Sequence, residues 1–247
     1  MTFLALDVGN TRLKWGLANR AGAGQPSTLI KRGAVSYETA DLAAWIVSLP
    51  HASLMQARYA SVVAPEREQA VLSLLPPTLV SERIHVTPVA GTLQNAYASQ
   101  ATLGVDRWLA AIGAWAQVQQ ACLVVSAGTA TTVDLIESAS NGQGLYRGGL
   151  ILPGIELMHQ ALHQGTAQLP GSPGRYRVAP DVADNTQDAI TSGIFEATCG
   201  AIERMGARLP AGAPWLLTGG NAAALAEALN GRAQPVDDLV LAGLAQI

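Results

Sequence analysis

The chain opens on an apolar run, Phe3 to Val8, that breaks at Gly9-Asn10-Thr11 and resumes as Leu13-Lys14-Trp15-Gly16-Leu17. A short apolar run bounded by glycine and small polar residues reads as a buried strand entering a tight turn. The pattern predicts strands over 3–8, 12–19 and 28–36, an antiparallel meander. An amphipathic helix is expected over Asp41 to Leu49, a strand over Ala57 to Val63, and a helix over Glu66 to Leu75 stopped by Pro76-Pro77. A strand over Ile84 to Val89 and a helical stretch near 103–119 follow. The pattern then restarts, with a strand over Ala121 to Ser126, a turn at Ala127-Gly128-Thr129, and strands over Thr131 to Glu137 and Gly148 to Leu152. A helix after Pro153-Gly154, a long helix from Thr186 to about Leu209, a strand over Trp215 to Thr218 and a helix over Ala222 to Leu229 come next. A short strand and a terminal helix occupy 234–247.

The second half repeats the element order of the first, although not its residues. An α/β fold of two similar halves, 1–118 and 119–247, is therefore expected, each a mixed sheet flanked by helices, with a cleft where they meet. Ligands of α/β proteins gather at strand ends and between domains. Asp7 to Lys14 and Ser126 to Thr132 both fall at such places.

Composition acts mainly by exclusion. Apolar residues make up 49% of the 247 and charged residues 13%, with 25 Gly and 13 Pro, which rules out a disordered chain and suits a compact protein rich in tight turns. A net charge of −3 without a long basic run gives no footprint for nucleic acid or an anionic membrane. No apolar run reaches the ~18 residues of a membrane span, and Met1-Thr2-Phe3-Leu4 carries no basic leader, so a cytoplasmic protein is expected. Cys122 and Cys199 lie in strand and helix patterns, away from other ligands, and read as buried thiols. Of His51, His85, His159 and His163, only the last two share an i, i+4 spacing, and without a carboxylate between them they read as solvated helix histidines.

Chemistry enters at the turns. Gly9 permits close backbone approach, Asn10 and Thr11 offer donors, and Lys14 adds a cation, which are the parts of a phosphate site. Asp7, acceptor-only when ionised, sits beside phosphate only with Mg²⁺ between them, directly or through water. A polar hairpin turn with an Asx-type hydrogen bond explains the same residues. A second turn, Ser126-Ala127-Gly128-Thr129-Ala130-Thr131-Thr132, repeats the physics, and β-propensity accounts for its threonines but not for Gly128-Thr129. Two such turns favour phosphate. Thr218-Gly219-Gly220-Asn221 ends another strand, either to approach a base or ribose or as a strand-to-helix turn with Asn221 as N-cap. In Gly104-Val105-Asp106-Arg107, the carboxylate can accept a hydroxyl proton and the guanidinium can grip a substrate carboxylate. The alternative is a helix-start carboxylate beside an ordinary surface Arg.

Asp7-Val8-Gly9-Asn10-Thr11, Gly104-Val105-Asp106-Arg107, Ala127-Gly128-Thr129-Ala130-Thr131-Thr132 and Gly148-Gly149-Leu150-Ile151-Leu152-Pro153-Gly154, in this order and spacing, resemble the type III pantothenate kinases. That resemblance extends over nearly the whole chain and implies two ribonuclease H-like domains of the acetate and sugar kinase, Hsp70 and actin superfamily. It implies ATP-dependent phosphorylation of the primary hydroxyl of pantothenate, the first step towards coenzyme A. By the same resemblance Asp7, Val8, Gly9, Asn10, Thr11, Arg12, Leu13, Lys14 and Thr129 contact ATP, with Mg²⁺ on Asp7. Tyr97, Gly104, Val105, Asp106 and Arg107 bind pantothenate, Asp106 takes the proton, and Thr186 closes the pocket. A homodimer is implied, with pantothenate near the subunit contact. One residue departs from the pattern: Ser126 stands where the family usually has an Asp that holds K⁺ or ammonium. Two rivals remain, a kinase of another small hydroxyl compound and a regulatory accessory protein that keeps the fold without turnover.

Overall fold

The computed structural model describes residues 2–20, 27–50, 54–166, 168–178 and 181–247. These form two compact units, one of Met1–Gln117 with Asp238–Ile247, the other Val118–Asp237. His51 lies outside the described residues.

In the first unit, β1 (Thr2–Val8), β2 (Leu13–Asn19) and β3 (Thr28–Val35) form the expected antiparallel meander. Helix α1 (Thr39–Ser48) leads to β4 (Gln56–Ser61), which pairs parallel with β1. Helix α2 (Pro65–Leu72) then leads to β5 (Val80–Arg83), parallel to β4. The sheet order is β3-β2-β1-β4-β5. The strand expected over Ile84 to Val89 is displaced: β5 ends at Arg83, and Val89–Ala90 (β6) instead forms a small hairpin with Leu93–Asn95 (β7). All four residues of β5 are exposed on the sheet edge, so the strand has no apolar signature. A 3-10 turn, Gln100–Thr102, precedes α3 (Val105–Val118).

In the second unit β8 (Cys122–Ala127), β9 (Ala130–Ser138) and β10 (Gly144–Pro153) make another antiparallel meander. Helices α4 (Ile155–Gly165) and α5 (Thr186–Gly206) lead to β11 (Trp215–Thr218), parallel to β8. Helix α6 (Ala222–Ala228) leads to β12 (Gln234–Pro235), parallel to β11. The order β10-β9-β8-β11-β12 reproduces that of the first sheet strand for strand and sense for sense. The repetition of element order is therefore a repetition of ribonuclease H-like topology.

The last helix, α7 (Leu239–Gln246), packs on β1, β2, β3 and β4. It belongs with the first unit and not, as the division at 119 has it, with the second. The reason is steric and apolar. Leu239, Val240, Leu241, Leu244 and Ala245 are buried, and Gly113 of α3 and Gly243 of α7 let the two helix backbones meet where any Cβ would overlap a carbonyl. Each sheet has its own core: Leu4, Leu6, Val8, Leu13 and Trp15 anchor the first, and Leu123, Val125, Val133, Ile202 and Leu217 the second.

Candidate active site

Strand pairing sets Asp7 directly opposite Lys14 at the end of the β1–β2 hairpin. Lys14 Nζ lies 3.6 Å from Asp7 Oδ2 and 2.7 Å from Asp238 Oδ2. Asp238 also caps α7, its Oδ1 accepting the Leu241 N–H at 3.0 Å. Burial pushes the Lys14 ammonium down, but Asp238 and then Asp7 more than offset it and hold the group above its ordinary value. Burial raises the Asp7 carboxyl to about 7, Lys14 opposing while the Asp238 and Asp106 carboxylates add to the rise. Two carboxylates on one ammonium, with the Asp106 carboxylate also acting on Asp7, leave the site short of positive charge, which fits a divalent cation on Asp7.

Val8 and Leu13 are fully buried core residues, so their side chains serve the core and offer nothing to a ligand. Gly9, Asn10, Thr11 and Arg12 form the outward turn.

Asp106 sits in the first turn of α3, and its Oδ1 accepts the Arg107 N–H at 2.9 Å. Gly104 makes this possible, since a Cβ there would stand 2.5 Å from that oxygen. Arg107 is not an ordinary surface residue: it is buried, its guanidinium 5.6 Å from the Tyr97 ring centroid, with Nη1 3.5 Å from the Tyr97 hydroxyl. Asp7, Lys14, Tyr97, Gly104, Asp106 and Arg107 therefore gather in one unit.

In the second unit Ser126 pairs with Thr132 on one side and Thr218 on the other, at the end of β8. The turn after it is tightly enclosed. The Gly154 N–H donates to the Thr129 carbonyl at 2.9 Å, the Asn221 N–H donates to the Ala127 carbonyl at 3.2 Å, and Gly219, at φ +102°, lies against Ala127 with no room for a side chain. The glycine turns at 128, 154 and 219 are thus one structure, a link that sequence spacing does not disclose. Asn221 occupies the N-cap position of α6, as the strand-to-helix alternative has it, but without a side-chain cap bond.

Thr186 is the first residue of α5, behind an Asn185 cap whose side chain accepts the Asp188 N–H. Asp188 in turn accepts from the Arg175 N–H at 2.7 Å and from Arg177 Nε and Nη2 at 2.7 and 2.6 Å, pinning the segment before α5.

Among the described residues no cluster of His, Cys, Asp and Glu is arranged to hold a metal by itself. His159 is buried, not solvated, and His163 pairs with the Leu169 carbonyl at 3.0 Å. The two thiols are buried as expected, and burial pushes Cys122 to about 12 and Cys199 to about 11.

A family model described as type III pantothenate kinase matches residues 3–208. The chain belongs to the type III pantothenate kinase family. Similar relatives bear the same description. One from Aromatoleum aromaticum is 42% identical, covering 99% of this chain and 96% of its own, and one from Dechloromonas aromatica is 38% identical, covering 99% and 98%. Among solved structures, a conserved Baf family protein from Campylobacter jejuni aligns with a TM-score of 0.61 at 19% identity, covering 98% of this chain and 94% of that one. The activator of 2-hydroxyisocaproyl-CoA dehydratase from Clostridium difficile aligns at 0.51 and 10% identity, covering 100% and 92%. These likenesses carry the two-domain fold. The four family motifs quoted from the sequence fall on β1 with its turn, the start of α3, the β8–β9 turn and the end of β10.

Sequence reasoning missed Asp238. Asp238 before an apolar run is a legible N-cap, but its bond to Lys14 depends on tertiary placement.

Proposed function

We propose that the chain transfers the γ-phosphoryl group of ATP to the primary hydroxyl of pantothenate, giving 4'-phosphopantothenate and ADP. The observation that carries the reading is the convergence of Asp7, Lys14, Asp106, Arg107 and Tyr97. Asp106 accepts the hydroxyl proton as the new oxygen–phosphorus bond forms and the bond from γ-phosphorus to the bridging oxygen breaks. Arg107, held by the Tyr97 face, grips the pantothenate carboxylate in a bidentate fork. Asp7 would hold Mg²⁺, which supplies neutralisation of phosphate charge. Lys14 and the amides of the 9–11 turn take phosphate oxygens; in the second unit Thr129 is the candidate contact for ATP and Thr186 for pantothenate. Val105 contributes its backbone beside Gly104. Most of the rate enhancement comes from positioning and charge stabilisation.

A homodimer working in the cytoplasm goes with this reading; no described helix is long and apolar enough to cross a membrane. Ser126 offers a monovalent cation a neutral oxygen in place of a carboxylate, so K⁺ or ammonium is expected to raise turnover only weakly.

A coupled ADP-release assay with pantothenate, sugars and acetate, run with and without K⁺, tests the reading. Turnover with pantothenate above the other acceptors supports it. Faster turnover with a sugar, or tight ATP binding with no product from any acceptor, would favour the rival kinase or the non-catalytic accessory protein.

A further inference from the structure

Two side chains from outside the β1–β2 hairpin hold its turn by the carbonyls. Tyr37, between β3 and α1, donates its hydroxyl to the Gly9 carbonyl at 2.6 Å, and Arg67, on the first turn of α2, donates Nη1 to the Asn10 carbonyl at 2.7 Å. They also touch each other, with the guanidinium carbon 5.0 Å from the ring centroid. Pro65 at the start of α2 fixes the turn of helix from which Arg67 reaches out. Two separate segments therefore converge on two consecutive peptide groups.

In a trans peptide the C=O and the following N–H point to opposite sides. With the Gly9 and Asn10 carbonyls drawn to Tyr37 and Arg67, the N–H groups of Asn10 and Thr11 are directed the other way, as two neighbouring amide dipoles. Successive amides of this kind make an anion-binding concavity. Without the two donors a peptide flip would offer an anion the negative end instead. Burial, opposed by Arg67 and aided by Asp7, pushes the Tyr37 hydroxyl up to about 12, so it remains a donor under any assay condition near neutrality.

We propose that Tyr37 and Arg67 are positioning residues that hold the 9–11 turn as an amide cradle for the terminal phosphates of ATP. The proposal rests on the reading of that turn as the phosphate site, and neither side chain is assigned a contact with the nucleotide. They act through the peptide groups.

The test is calorimetric titration of the full chain and its Tyr37→Phe, Arg67→Lys and Arg67→Ala variants with Mg·ATP and, separately, with adenosine. Loss of one side-chain bond to the turn is expected to weaken Mg·ATP by about three- to tenfold in Tyr37→Phe and Arg67→Ala. Adenosine affinity and the KM for pantothenate should stay within about twofold, and Arg67→Lys, which keeps a donor, should recover part of the loss. Unchanged Mg·ATP affinity in both Tyr37→Phe and Arg67→Ala, or equal weakening of ATP and adenosine, would overturn the proposal. If the native chain binds Mg·ATP but phosphorylates no pantothenate, the functional reading fails, while the comparison of ATP with adenosine still decides the role of the two residues.

Discussion

Gly104 and Asp106 depend on each other, because only a glycine leaves the carboxylate room to fold back over the start of α3. Asp106→Asn keeps the shape and removes the proton acceptor, so kcat should fall by about 10²–10⁴ with the KM for pantothenate little changed. Gly104→Ala should lower kcat in the same direction by displacing the Asp106 carboxylate without replacing it, which steady-state kinetics on both variants would reveal. Lys14 depends similarly on Asp238, the nearer of its two carboxylates at 2.7 Å. Asp238→Ala removes that anchor and the α7 cap, and the KM for ATP should rise by about tenfold, with a stability loss of about 1 kcal/mol seen in denaturant melts. Asp7, Asp106 and Arg107 stand out in the sequence as candidates through the motifs that resemble the family, whereas spacing alone leaves a polar turn, a helix-start carboxylate and a surface Arg as alternatives. Asp238 was legible as a cap only, and Tyr37 and Arg67 not at all, since what they do is fixed by whose carbonyl they meet.

Elements were easier to read than residues, and for a definite reason. Strands β1 and β8 and helix α3 bury long apolar stretches, so periodicity finds them. Edge strand β5 buries nothing and was displaced onto the apolar run that follows it. Helix α5 illustrates a stabilising device that spacing cannot reveal: its Asp188 ties down the Gly174–Arg177 backbone, where Thr191 and Ser192 also accept N–H groups at 2.9 and 3.0 Å. The Arg175 N–H first, then Asn185 and Arg177, hold the Asp188 carboxyl below its ordinary value. A carboxylate depressed on folding contributes stability above its unfolded pKa, and that contribution is lost as pH falls through the folded one. Asp188→Asn should therefore be less stable than the native chain at pH 7. The gap should close as pH drops below about 4, the ordinary aspartate range. Thermal melts of both proteins across that range check it, and a gap independent of pH would refute the ionic origin.

For the molecule as a whole, two similar halves were readable from repeated element order, but the return of α7 to the first unit was not. Nothing in 238–247 marks which core it joins; the matching glycines 113 and 243, more than a hundred positions apart, do so only when brought together. That close crossing carries both stability and the site, because α7 begins at the Asp238 that holds Lys14. A side chain at 243 would overlap the Leu109 carbonyl, and helix backbone cannot yield as a flexible side chain can. Gly243→Val should thus force α3 and α7 apart at a cost of about 1–3 kcal/mol, or more where backbone must shift. Nucleotide affinity should fall with it, since Asp238 moves with the helix. Gly200→Ala is the contrast: α5 has open space there, so the change should stabilise by about 0.5–1 kcal/mol through helix propensity. Denaturant melts with and without Mg·ATP separate the two effects. In Gly243→Val the stabilisation conferred by the nucleotide should shrink along with the basal stability, whereas in Gly200→Ala it should match the native chain. Retention of the full nucleotide-dependent shift in Gly243→Val would mean that Lys14 keeps its geometry without α7, and the coupling from helix crossing to phosphate site would be wrong.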